Sequence, residues 1–248
     1  MAKDIYNFEH RWEMELKRMD GIFQDSNGDR RGERSKYKEK VSEENKKIIL
    51  EFARNCDKEE LSMARKLKYI SALRIISIRL KNKSFPKVIK KDIEDLIIKM
   101  NKEGLAEATT QGYKITLKKF YKWFKGKNKF YPKEVEDIDT SLKNGKRRLP
   151  EDVLNEEDVK KMIEHANNPR DSALISFLMD SGMRIGEVSS IKIKHIVNEG
   201  NDCMSVICPE GKTGARRVLL IPCIPYLRTW LQKHPDKENR DAYLFCGL

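Results

Sequence analysis

The chain has no uncharged run approaching the ~20 apolar residues that a membrane helix needs, and its first 20 residues lack the apolar stretch of a secretory leader. Both absences count against a membrane span and a secreted protein. Cysteine is scarce: five residues (Cys56, Cys203, Cys208, Cys223, Cys246) with no Cys-x-x-Cys pair. An odd number without that spacing argues against a disulfide framework or a zinc cluster and fits a reducing cytoplasm. The four histidines (His10, His165, His195, His234) are scattered without metal-ligand spacing, so no metal and no cofactor are expected. The phosphate-cradling Gly-x-x-x-x-Gly-Lys-Ser/Thr loop, the Gly-x-Ser-x-Gly elbow and His-Glu-x-x-His are all missing. Most familiar catalytic chemistries are thereby excluded.

What the chain has in abundance is charge. Of 248 residues 36% are Asp, Glu, Lys or Arg, and 51 basic against 39 acidic side chains give a net charge of +12. Such a balance favours a polyanionic partner, because each neutralised phosphate releases counterions. The excess is concentrated. Between Lys114 and Arg148, 12 Lys or Arg face four Asp or Glu, so these 35 residues carry +8. A solvated hinge is the plain reading of such a run; a strap along a phosphate backbone is the one its local density favours.

Periodicity divides the chain into an N-terminal helix and charged linker (1–41), a helical block (42–126), a basic linker (127–149) and a second compact region (150–248). Ile5, Phe8, Trp12, Leu16 and Met19 share one helical face, and Gln24 to Lys40 then offers no aliphatic residue to bury. Met63, Leu67, Ile70, Leu73, Ile76 and Leu80 recur at helical steps up to the break at Ser84-Phe85-Pro86. Asp92 is expected to cap the next helix, which Gly104 stops, and a last one runs from about Glu107 to Lys125. Beyond the linker, Asn155 and Asn168-Pro169 start helices and Gly182 ends the second. Strands are expected at Met204–Cys208 and Arg217–Ile221, joined by a Gly-containing hairpin, with a final helix opened by Pro225.

One charged pair lies in an apolar background. Arg184 follows the helix-stopping Gly182, and Glu187 comes three residues later, on the same side of any short helix that starts there. Met183, Ile185 and Val188 are expected to shield the pair partly. An Arg steadied by a carboxylate presents a fixed fork of donors suited to a phosphate; spacing alone equally allows a structural salt bridge. Lys212, at the hairpin tip, is either an ordinary turn lysine or one that reaches a phosphate.

Leu-Met-Asp-Ser-Gly-Met-Arg-Ile-Gly-Glu-Val-Ser-Ser-Ile-Lys-Ile-Lys-His-Ile (178–196) resembles the first conserved box of the tyrosine recombinases, or phage-type integrases. Gly-Lys-Thr-Gly-Ala-Arg-Arg-Val-Leu-Leu-Ile-Pro (211–222) is similar to the family's hairpin, and Ala242-Tyr243-Leu244-Phe245 to a later short segment. Ala108-Thr109-Thr110 through Trp123-Phe124 resembles the last long helix of the core-binding domain, so the likeness spans residues 42–248; an archaeal or Xer-like branch is one option. The resemblance implies a mainly α fold with a small β part: a helical, SAM-like core-binding domain followed by the N-terminal half of a mixed α/β catalytic domain. It implies site-specific DNA recombination through a phosphotyrosyl intermediate, with double-stranded DNA as partner and self-association, or association with an intact recombinase, on that DNA. In that reading Arg184 clamps the scissile phosphate, Glu187 orients Arg184, Lys212 protonates the leaving oxygen, and Lys118, Lys122, Arg147 and Arg148 contact the DNA backbone. The family's His-x-x-Arg box occurs nowhere in the sequence, and Tyr226 and Tyr243, the tyrosines beyond Lys212, match non-catalytic positions. The expectation is therefore a truncated catalytic domain without its nucleophile, inactive alone, or else a DNA-binding module that occupies recombination sites without catalysis.

Overall fold

Apolar residues at helical steps build the first part of the molecule around one central helix. The computed structural model describes residues 7–23, 38–142, 153–200, 203–209 and 214–246, and the chain divides into two units, Met1–Lys146 and Arg147–Leu248. The first contains α1 (Phe8–Met19), α2 (Glu43–Lys58), α3 (Met63–Arg79), α4 (Lys90–Lys102) and α5 (Glu107–Phe124). Helix α3 packs against α1, α2 and α5, while α4 leans on α5. Its Ile70, Leu73 and Ile76 are fully buried, as the three-and-four spacing requires.

Local signals start and join these helices. The Ser42 hydroxyl accepts the Asn45 N–H at 3.4 Å, capping α2. Asn45, itself buried, donates to Ser77 Oγ (2.9 Å) and to the Lys83 carbonyl (3.0 Å), and accepts the Phe85 N–H (2.9 Å). One amide thus satisfies the turn after α3 from inside the core. Asp92 does not occupy the cap of α4. The helix begins two residues earlier, at Lys90, and Asp92 reaches back from its first turn to accept the Ile89 N–H at 2.8 Å.

Helix α1, separated in sequence from the helical block by a polar stretch, is docked into it. Met19 is fully buried, Trp12 and Leu16 pack on the same core, and Glu15 forms a 2.7 Å ion pair with Arg74 of α3. The residues after α5 also fold back. A Cβ on Gly126 would stand 2.1 Å from the Phe130 carbonyl oxygen, so only glycine admits this turn. Val135 then enters the core, and Lys125 pairs with Glu134 at 2.6 Å. Thus the early part of the basic stretch lies on the first unit; 143–152, with Arg147 and Arg148, falls outside the described residues.

The second unit holds α6 (Glu156–Glu164), α7 (Pro169–Ser181), α8 (Ile185–Val188), β1 (Ile196–Gly200), β2 (Cys203–Cys208), β3 (Arg216–Leu220) and α9 (Ile224–Lys233). Asn155 caps α6 by accepting the Asp158 N–H (2.9 Å), and Asn168 caps α7 by accepting that of Asp171 (2.9 Å). The strands form one antiparallel sheet in the order β1-β2-β3, pairing Val206 with both Ile196 and Val218. Strand β1 is an addition to the sequence reading. Only its Ile196 and Val197 are apolar, and Asn198-Glu199-Gly200 reads as a turn. Phe177, Val206, Leu220, Leu227 and Leu244 meet in this unit's own core. The fold is mainly helical with a small sheet, as the resemblance implied.

Candidate active site

Helix α7 ends where Gly182 takes a left-handed conformation (φ +58°), which lets the chain turn sharply without a Cβ penalty. Met183 and Val188 are buried on either side of the turn and anchor it, whereas Ile185 is exposed, so the shielding expected from all three comes from two. Asp180 ties the same corner to the sheet by accepting the N–H groups of Ile221 (2.8 Å) and Cys223 (3.0 Å). Arg184 immediately precedes α8, and its side chain is 57% exposed.

Glu187 is the hub. The residue is only 6% exposed, and its carboxylate is held from three directions. Oε2 accepts from the Arg184 backbone N–H (3.1 Å) and from Nη2 of Arg216 (2.6 Å). Oε1 accepts from Nη1 of Arg184 (3.2 Å) and Nη1 of Arg216 (3.4 Å). The Arg216 hydrogen bonds, followed by the Arg184 backbone N–H, hold the Glu187 carboxyl down at about 2 against the opposing effect of burial. Glu187 in turn raises the pKa of Arg216 above that of an ordinary guanidinium. Two guanidinium groups on one carboxylate leave the cluster with a net positive charge, carried on the exposed arm of Arg184.

The Arg184–Glu187 contact expected from the three-residue spacing is therefore present. Arg216 was missed as a site residue. It is 29 residues from Glu187, and in sequence it is one of two adjacent arginines. The signal that separates them is strand alternation: β3 turns Arg216, Val218 and Leu220 to one side and Arg217 to the other. Arg217 accordingly pairs with Glu199 across the sheet at 2.7 Å. Lys212 lies outside the described residues.

Lys118 and Lys122 belong to the first unit. The Lys118 ammonium donates to the carbonyl oxygens of Ile138 (3.0 Å) and Glu136 (3.4 Å), pinning the folded-back segment onto α5. Both ammoniums also stand over the exposed ring of Tyr131, at 4.6 and 5.0 Å from its centre. Lys118 thus has an internal use that the charge pattern did not reveal.

Residues 152–248 match the phage integrase family. No curated protein matches the chain. Among solved structures, a lambda integrase dimer bound to a COC' core site is 13% identical with a TM-score of 0.64, covering 82% of this chain and 57% of its own. XerH site-specific recombinase bound to difH substrate in a pre-cleavage complex is 19% identical, with a TM-score of 0.55 and coverage of 80% and 59%. The Tn1549 transposon integrase in complex with transposon right end DNA is 14% identical, with a TM-score of 0.59 and coverage of 81% and 71%. The chain thus spans less than two thirds of the lambda integrase and XerH chains, and these likenesses describe its fold.

Proposed function

We propose that this chain takes part in site-specific DNA recombination, supplying DNA binding and the phosphate clamp of a tyrosine recombinase. The observation that carries the reading is the Arg184–Glu187–Arg216 cluster, in which a buried carboxylate steadies an exposed guanidinium within the matched family region. Arg184 would take the growing negative charge on the non-bridging oxygens of a scissile phosphodiester, the kind of electrostatic stabilisation worth roughly 3 kcal/mol per donor. Glu187 would hold Arg184 in place, and Lys212, protonated at neutral pH, would deliver a proton to the departing 5′ oxygen. Lys122, Arg147 and Arg148 would neutralise backbone phosphates without reading sequence, and Lys118 would do so in part. Double-stranded DNA is the partner, self-association takes place on it, and the setting is the cytoplasm.

The attacking tyrosine is the part this chain is proposed to lack. The Tyr243 main chain is tied down, bridging to Lys192 and accepting from His234 at 3.0 Å, in a segment that resembles a non-catalytic family position. Tyr226 lies on α9 and resembles a non-catalytic family position. The missing His-x-x-Arg box favours a second reading, in which the chain occupies recombination sites without cutting them. Selection of bound duplexes from a random library, followed by incubation with a nicked version of the selected site, separates these outcomes. Salt-sensitive duplex binding without a covalent adduct is expected. An adduct formed by this chain alone would place a nucleophile within it, and failure to retain any duplex would remove the DNA reading altogether.

A further inference from the structure

We infer that Arg216 is a positioning residue that frees Arg184 to exchange Glu187 for a phosphate. The inference rests on the reading of Arg184 as a phosphate ligand. A buried carboxylate served by one guanidinium cannot easily release it, because the abandoned charge would be left without a partner. Glu187 is not in that position. Arg216 contacts both of its oxygens, at 2.6 and 3.4 Å, and the Arg184 backbone N–H remains on Oε2 wherever the Arg184 side chain goes. When the Arg184 guanidinium leaves, each carboxylate oxygen keeps a donor.

The two arginines are built for unequal roles. Arg216 is 30% exposed at its side chain, sits on the core-facing side of β3, and has a second hold through Nη1 to the Cys208 sulfur at 3.8 Å. The Arg184 side chain is 57% exposed, and its guanidinium touches Glu187 through one nitrogen at 3.2 Å. The geometry therefore gives a fixed anchor, a shared carboxylate and a movable arm. The fork of Arg216 is needed because it spans two oxygens; a lysine ammonium is a point charge and would serve one.

The test is a sulfate titration at constant ionic strength, read from the Arg184 side-chain Nε–Hε NMR resonance. Wild type, Arg216→Gln, Arg216→Lys, Glu187→Gln and the Glu187→Gln/Arg216→Gln pair are compared. Sulfate is chosen because it keeps one charge state across neutral pH. The wild-type resonance should shift saturably. Arg216→Gln should weaken sulfate binding about tenfold, because Glu187 then retains Arg184, and Arg216→Lys about threefold. With Glu187→Gln as background, adding Arg216→Gln should change binding less than about threefold, since the competing carboxylate is gone. That last arm separates positioning from a simple loss of positive charge, which would persist in either background. If Arg216→Gln does not fold, Arg216→Lys and the double variant carry the same comparison. Binding unchanged by Arg216→Gln or Arg216→Lys, or an equal loss in both backgrounds, would overturn the inference alone. A wild-type Arg184 resonance indifferent to sulfate would overturn the phosphate reading beneath it.

Discussion

Each unit contains a carboxylate buried among arginines, and the two are put to different use. Glu15 on α1 is 2% exposed and meets Arg74, whose side chain is itself 9% exposed. Both ends of that pair are closed off and it fixes α1 to α3; the other arginine on Glu15, Arg18 at 3.3 Å, is 30% exposed against 57% for Arg184. Glu187 is almost as buried, but one of its arginines opens to solvent. A closed pair secures packing, while an open one holds a cation ready for an anion from outside. The side-chain chemistry is the same; the exposure of the arginine decides the role.

The largest expected effect is on the closed pair. Glu15→Ala takes the 2.7 Å carboxylate contact from the buried Arg74 guanidinium and should lower stability by about 3 kcal/mol in urea unfolding. Sulfate binding at Arg184 should stay intact under native conditions. Next comes Asn45→Ala, which removes the partner of the buried Phe85 N–H and one of the two partners of Ser77 Oγ; a loss of about 2 kcal/mol is expected by the same measurement. Arg184→Ala sharpens the contrast. Glu187 keeps Arg216 and the backbone N–H, so the melting temperature should move by no more than about 2 °C while the sulfate-dependent shifts of the Ile185–Val188 backbone amides disappear.

Acid should act on the open pair. The Glu187 carboxyl titrates at about 2 in the folded chain against an ordinary value of 4.5, chiefly because of the Arg216 hydrogen bonds. Its stabilising contribution is thus complete above about 4.5 and disappears as pH falls toward 2. In Arg216→Gln the carboxyl should titrate closer to 4.5, which carboxylate-detected NMR would show directly. The smallest effects belong to the lysines. Lys122→Ala should flatten the salt dependence of duplex binding by about one unit of slope. Lys118→Ala should in addition cost about 1 kcal/mol of stability, because that ammonium also holds the carbonyls of Glu136 and Ile138.

Much of this was readable from local sequence, and the reason is sequence distance. The asparagine caps of α6 and α7, the stop at Gly182 and the Arg184–Glu187 contact each involve residues two to four positions apart. Their geometry follows from turn and helix spacing alone. The partners that escaped are far away: Arg74 is 59 residues from Glu15, and Arg216 is 29 from Glu187. A charged residue in the sequence does not name such a partner. Strand β1 escaped for another reason, since half of it is as polar as a turn and only its pairing with β2 makes it a strand. The folded-back 126–138 segment was hidden beneath its lysines; Gly126 and Val135, the residues that make it fold, are few.

The most direct test is the structure of this chain bound to a duplex recovered by selection. The Arg184 guanidinium should lie about 3 Å from a phosphate oxygen, with the Arg216–Glu187 pair intact behind it. Arg184 still seated on Glu187, with no phosphate in reach, would contradict the account.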